Sequence, residues 1–183
     1  KDLEKDIELL NSQVDRWNEI LKRLTLNPVE EDEFIDKDIN IRDYLHEIIS
    51  SFKEISKKEF VFNFDQDSNP KKISKSIEIV YGLRNFIGNA NKFAKNSIFI
   101  NLKSDSEFTE ITVEDDGNGY PRDIVSKIGE PYLKSNYSKD KSKEGLGLGL
   151  FIGKTLLEKN FASVNCRNSK TRTGAEVLSL IHI

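Results

Sequence analysis

Between Glu144 and Lys154 three glycines, Gly145, Gly147 and Gly149, alternate with Leu146, Leu148 and Leu150. This stretch narrows the possible folds more than any other, because repeated glycine permits positive φ and leaves backbone N–H groups unshielded. Phe151, Ile152, Thr155, Leu156 and Leu157 then continue as a helix to about Lys159. A helix that starts directly after such a loop adds its positive N-terminal end, and together they suit a phosphate. Tight packing of a helix against a sheet explains the alternation about as well, so neighbouring segments must decide.

The first of these is residues 72–94. At about 100° per residue, Ile73, Ile77, Val80, Leu83 and Ile87 form an apolar stripe, while Asn85, Asn89 and Lys92 share the opposite side. Asparagine and glycine are poor helix formers, yet Asn85, Gly88, Asn89 and Asn91 crowd two turns. A plain solvated face would ordinarily use Glu, Lys or Gln. Amide oxygens at i and i+4 can reach a hard cation, and a lysine one turn on can meet an anionic oxygen.

The second is residues 115–121. Two alternating segments, 98–102 and 111–113, read as a hairpin, and the latter runs into Asp115, Asp116, Gly117, Asn118, Gly119, Tyr120 and Pro121. An ordinary turn accounts for Asp-Gly and Asn-Gly equally well. A carboxylate at a strand's end, backed by glycines, would instead accept a hydrogen bond from an exocyclic amine, as on adenine. Residues 129–144 carry Lys134, Lys139, Lys141 and Lys143 with little apolar anchorage after Leu133. They read either as a lid that closes on anionic phosphates or as a surface loop.

Ahead of these, Ile41, Leu45, Ile48, Ile49 and Phe52 make a helical stripe, and Phe60, Phe62 and Phe64 alternate as a strand. His46 falls off the stripe and reads as a surface or boundary residue. Two more strands are expected near 162–166 and 175–181, joined by a turn at Thr173 and Gly174. At the start of the chain Leu3, Ile7, Leu10, Val14, Trp17, Leu21 and Leu24 recur at spacings of four and three. That is the seam of a coiled coil or bundle, or an amphipathic helix packed on its own domain. Pro28 and the acids Glu30 to Glu33 break it and read as a linker.

The 183 residues, 37% hydrophobic and 32% charged, suffice for one well-buried soluble domain with an appendage. A net charge of −3 offers no extended basic face for nucleic acid. Cys166 stands alone and so cannot form an internal disulfide. No signal peptide or bilayer-length apolar run is evident, and no membrane contact is expected from this stretch. Because the chain opens inside a helical pattern at Lys1, it reads as a fragment.

Taken together, four motifs resemble those of sensor histidine kinases, in that family's order. Asn85-Phe86-Ile87-Gly88-Asn89-Ala90-Asn91-Lys92-Phe93 is similar to the N box, and Asp115-Asp116-Gly117-Asn118-Gly119 to the G1 box. Glu130-Pro131-Tyr132-Leu133-Lys134-Ser135 is similar to the F box, and Gly145-Leu146-Gly147-Leu148-Gly149-Leu150 to the G2 box. The wording of 130–135 and 144–158 looks most like the redox-responsive RegB/PrrB subgroup.

The resemblance implies an α+β Bergerat ATP-binding fold over 39–183, a two-layer sandwich of a mixed sheet and helices. It implies a linker over 27–38, and over 1–26 the second helix of a dimerisation and phosphotransfer hairpin, forming a homodimer. It further implies that Asn89 binds Mg²⁺ with Asn85 a turn away, that Lys92 contacts phosphate oxygens, and that Phe93 borders the nucleotide. Asp115 would bind the adenine amino group beside Gly117 and Gly119. Gly145, Leu146, Gly147, Leu148 and Gly149 would cradle the phosphates of ATP, with Lys134 facing them. The expected partner is a response-regulator receiver domain, and the expected setting is the cytoplasmic part of a membrane-anchored sensor. The phosphoacceptor histidine is missing from the chain, so it would have to lie elsewhere. An ATPase clamp, a serine kinase and a regulatory nucleotide-binding module are the alternatives.

Overall fold

Apolar residues at every second position of 98–102 and 111–113 require one sheet face to be covered and the other to tolerate polar groups. The computed structural model, which describes residues 40–65, 77–105, 107–133 and 147–182, meets this requirement with one sheet and three helices. In chain order the elements are α1 (Ile41–Lys53), β1 (Glu59–Phe64), α2 (Ile77–Phe93), β2 (Ser97–Ser104), β3 (Phe108–Asp115), α3 (Gly149–Lys159), β4 (Ala162–Asn168) and β5 (Ala175–His182). A short 3₁₀ turn spans Val125–Lys127. The heptad segment 1–26 and the linker 27–38 lie outside the described residues, which belong to the unit Asp38–Ile183.

The sheet order is β1-β2-β3-β5-β4. Strand β1 runs parallel to β2, and the other three pairings are antiparallel. Register places Phe60, Ile98, Asp115 and Ala175 near one end, and Ile111 beside Ser179 further along. The inward face carries Ile98, Ile100, Leu102, Ile111, Val113, Val177 and Ile181, all buried. Outward positions are polar or mixed, including Glu110, Thr112, Glu114 and Glu176. The expected mixed two-layer architecture is therefore present.

Helix α1 starts one residue after Asn40, whose side chain accepts from the Arg42 N–H at 3.0 Å and caps the first turn. Its buried residues are Ile41, Tyr44, Leu45, Ile48 and Ile49. His46 is exposed, and its ring meets Phe62 edge-on at 4.8 Å. Val80, Leu83 and Ile87 of the expected α2 stripe are buried, joined by Ile79, Phe86 and Ala90. Ile73 lies outside the described residues.

Two glycines set how α2 and α3 meet. A Cβ on Gly82 would come within 2.8 Å of Leu157 Cγ and 3.2 Å of the Gly153 carbonyl oxygen. On Gly153 it would lie 2.5 Å from the Phe86 ring and 3.1 Å from the Gly82 oxygen. Rising numbers on one helix thus meet falling numbers on the other, so the two run antiparallel with backbones nearly touching. Phe86 is 1% exposed and has nowhere to go. Gly153→Ala is accordingly expected to lose about 1–3 kcal/mol to overpacking, more than the roughly 1 kcal/mol that alanine adds as a helix former. Gly149→Ala, whose Cβ would meet nothing nearer than 3.8 Å, should fold with undiminished stability. Urea denaturation of both variants checks the contrast.

Candidate functional site

Three consecutive acids leave β3 and do three different jobs. Glu114 points outward, accepts from Ser169 Oγ at 2.7 Å and Thr171 Oγ1 at 3.3 Å, and pairs with Arg172 at 3.7 Å. Arg172 also lies 3.4 Å over the Phe99 ring, so this carboxylate clamps the segment 169–172 across the sheet edge. Asp116 faces the α2–β2 turn and accepts from the backbone N–H groups of Lys95 at 2.7 Å and Asn96 at 3.0 Å. Desolvation pushes its pKa up, but the amides of Asn96, Ser97 and Lys95 together outweigh it and hold the carboxyl below the ordinary range.

Asp115, between them, points inward and is 4% exposed. Its Oδ1 accepts from the Gly117 N–H at 2.7 Å and the Ala175 N–H at 3.4 Å. Burial raises its pKa, and these two amides only partly offset the effect. A charge kept at this cost and fixed in direction suits an acceptor waiting for an external donor. The glycines around it are dictated by crowding. A Cβ on Gly117 would lie 2.4 Å from the Phe93 carbonyl oxygen, and one on Gly174 would lie 1.8 Å from the Asp115 carbonyl oxygen. Gly119 has φ +71° and abuts Asn168. Both motif glycines, Gly117 and Gly119, therefore have packing roles of their own.

Gly117 also ties Asp115 to the end of α2. There Phe93 is 45% exposed and the Lys92 amine lies 5.4 Å from its ring centre. Eight residues back along α2, about 12 Å at the helical rise, Asn85 donates its Nδ2 to the Tyr81 carbonyl at 2.8 Å. That bond fixes the amide, and its Oδ1 lies 3.8 Å from where a Gly149 Cβ would stand. An amide oxygen is thus presented to the first turn of α3. Asn89, one turn further on, is half-buried, and its side chain makes no hydrogen bond among the described residues.

The start of α3 has no side-chain cap: Leu148 is the N-cap residue and its side chain makes no capping bond. Among the described residues no side chain caps the first-turn N–H groups, which suits them to another acceptor. Gly147 has φ +69°, and a Cβ there would strike the Leu133 backbone at 2.3 Å, so the residues flanking 134–146 are in contact. Leu148, read as part of the phosphate cradle, is 4% exposed and its side chain belongs to the core. Lys134, Gly145 and Leu146 lie outside the described residues, as does most of the expected lid.

Other members of the asparagine and glycine cluster on α2 serve packing. Asn91 Oδ1 accepts from Ser56 Oγ at 2.7 Å and its carbonyl oxygen accepts from Lys58, pinning the α1–β1 turn. Gly88 faces Phe52, whose Cζ would lie 3.3 Å from an added Cβ. Conversely, the sequence reading gave no site role to Gly174 or Asn168. A glycine immediately before a strand was the available signal for the first, whereas Asn168 had none.

The structure brings Asp115, Gly117, Phe93 and Lys92 together at one end of α2, and Asn85, Gly147 and Gly149 at the start of α3. Among the described residues no three His, Cys, Asp or Glu side chains cluster as metal ligands. A hard cation here would have to share amide oxygens of Asn85 and Asn89 with the oxygens of its anionic companion, and the fixed orientation of Asn85 fits that demand.

Residues 74–180 match the model of the histidine kinase-, DNA gyrase B-, and HSP90-like ATPase family, and the chain belongs to that family. Within it, the unit is the ATP-binding catalytic domain of the sensor histidine kinase kind, similar to RegB. It is 30% identical over 175 residues to the sensor histidine kinase RegB of Cereibacter sphaeroides, covering 91% of this chain and 37% of that protein. The chain thus spans little more than a third of that relative. Its fold is shared with the mycobacterial sensor histidine kinase MprB (TM-score 0.65, 17% identity, 79% of this chain and 95% of that one). It is shared too with full-length ShkA in complex with AMPPNP (TM-score 0.68, 18% identity, 99% and 39%). The comparisons do not favour the clamp alternative. No helix among the described residues is long and apolar enough to cross a membrane.

The raised pKa of Asp115 has a consequence for stability. The folded state holds this proton more tightly than the unfolded chain does, so stability falls as pH rises from the ordinary aspartate value through the raised one. Unliganded Asp115→Asn lacks that decline. Relative to the parent it should gain stability as pH rises above the ordinary aspartate value of about 4, read as urea midpoints. A variant that instead loses ground over that rise would show that the ionised acid stabilises the fold.

Proposed function

We propose that this domain binds ATP with Mg²⁺ and passes the γ-phosphoryl group to a histidine on another segment or chain, for relay to an aspartate of a receiver domain. The observation that carries this is the pairing of the uncapped α3 N-terminus with the oriented Asn85 amide, about 12 Å along α2 from Phe93, against whose carbonyl Gly117 of the buried Asp115 turn is packed. The base then sits at the C-terminal end of α2 and the phosphates beside its middle. The relatives named above support the reading, and one of them was solved with AMPPNP.

In this assignment Asp115 accepts from the adenine amine, and Phe93 and Gly117 border the base. The α3 amides, with the backbone of Gly147, Leu148 and Gly149 and that of Gly145 and Leu146, hold the phosphates. Lys92 and Lys134 balance their charge. Asn89 and Asn85 hold Mg²⁺, which when bound supplies neutralisation of phosphate charge. The histidine nitrogen attacks the γ-phosphorus as the bond to the ADP oxygen breaks. The protein's contribution is alignment and electrostatics rather than covalent help. Residues 1–26 are proposed as the second helix of a dimerising hairpin, 27–38 as the linker, and 39–183 as the catalytic domain. The setting would be the cytoplasmic side of a sensor.

The test supplies a histidine-bearing partner helix in trans with γ-labelled ATP and Mg²⁺. Acid-labile label should appear on the helix, fall about 100-fold with Asn89→Ala, and vanish with Asp115→Asn along with nucleotide binding. Label on serine, or phosphate release without labelled protein, would instead indicate a serine kinase or an ATPase.

A further inference from the structure

Asn168 is the last residue of β4 and stands in register with Ala175 across the β4–β5 hairpin. The residue is exposed, yet both polar atoms of its side chain are engaged. Oδ1 accepts from the Tyr120 N–H at 2.5 Å, and Nδ2 donates to the Tyr120 carbonyl oxygen at 3.1 Å. One planar amide thus meets the N–H and the C=O of a single residue distant in sequence, as a strand partner would. Asparagine is suited to this because its amide offers an acceptor and a donor in fixed geometry, whereas an ionised aspartate only accepts.

Tyr120 closes the turn that follows Asp115. The turn is fixed at its start by Gly117, whose N–H donates to Asp115 Oδ1 at 2.7 Å, and at its end by Asn168. Between these points Gly119, at φ +71°, leaves room for the amide: a Cβ there would lie 2.6 Å from Asn168 Oδ1. The hairpin that carries Asn168 also carries Ala175, whose N–H donates to the same Asp115 oxygen at 3.4 Å. The Ser169 N–H closes that hairpin by donating to the Gly174 carbonyl oxygen at 2.9 Å. The Asp115 carboxylate and the far end of its turn are therefore held by one hairpin. A turn with two glycines has much backbone freedom to lose. A contact that removes this freedom beforehand strengthens later binding.

Resting on the ATP-binding reading above, we infer that Asn168 is a positioning residue of the base site. By pinning Tyr120 to the β4–β5 hairpin it holds the Gly117–Gly119 turn, and with it the Asp115 carboxylate, in the geometry that receives adenine. It acts through the turn and not on the nucleotide. The groups assigned to the phosphates, at the start of α3 and on α2, belong to other elements. Loss of the Asn168 amide therefore weakens the hold on the base and spares the hold on the phosphates.

The test titrates the parent and Asn168→Ala with ATP and Mg²⁺, with adenosine, and with tripolyphosphate and Mg²⁺, following backbone amide resonances. It also measures amide hydrogen exchange without nucleotide. The variant should bind ATP and adenosine about tenfold more weakly and tripolyphosphate within twofold of the parent. Exchange at Gly117 should accelerate about tenfold, while Ile100, paired with Val113 in the middle of β2, keeps its rate. ATP affinity within twofold of the parent, an equal loss for tripolyphosphate, or an unchanged rate at Gly117 would overturn the inference. Faster exchange at Ile100 as well would mean a fold loosened throughout, and overturns it too. If the parent binds ATP and Asp115→Asn does not, such a result removes the Asn168 role alone; a parent that binds neither ATP nor adenosine removes the site reading with it.

Discussion

The arrangement depends on how closely two helices approach each other. Gly82 and Gly153 let the backbones of α2 and α3 come within contact distance, and Phe86 and Leu157 fill the space on either side. Because the helices are antiparallel, the same crossing brings Gly149 opposite Asn85. The helix end that lacks a side-chain cap among the described residues and the helix face that offers an amide oxygen are thereby set in register by core packing. Any side chain at the crossing would push them apart, and the polar groups, none of which belongs to the core, would lose their geometry with it.

The C-terminal end of α2 is organised around a charge that the fold tolerates at a cost. Asp115 is deeply buried yet keeps two backbone donors, while its neighbours turn outward or into a backbone turn. Glu114 holds the segment that delivers Gly174 against Asp115, and Asp116 holds the turn that ends α2. The acids on either side therefore position the middle one. Such local conflict, a buried carboxylate with incomplete compensation, is characteristic of sites that wait for a ligand.

Helices and strands were legible in the chain because their apolar periods are local. The α3 end at Lys159 and the β4 and β5 starts at Ala162 and Ala175 emerged where expected. Strands β2 and β3 extend beyond the apolar alternation through Ser97, Ser104 and Glu114, since outward positions accept polar residues without interrupting the ladder. The insertion of β5 between β3 and β4, and the parallel β1, depend on pairings distant in sequence. Period-two alternation already separates Glu114 from Asp115. What local pattern could not separate was the role of each α2 residue: Asn85 and Asn91 differ only in what the fold places opposite them. Gly88, Gly174 and Asn168 likewise acquire meaning only from tertiary neighbours.

The central claim is that the middle and the C-terminal end of α2 serve a single nucleotide. Its most direct measurement is a titration of the isotope-labelled chain, following backbone amide resonances, first with adenosine and then with ATP and Mg²⁺. Adenosine should move the signals of Asp115, Gly117 and Ala175 and leave the first turn of α3 in place. ATP with Mg²⁺ should move both groups, together with the side-chain amides of Asn85 and Asn89, along one shared isotherm. Separate isotherms for the two groups, or ATP shifts confined to one of them, would contradict the account.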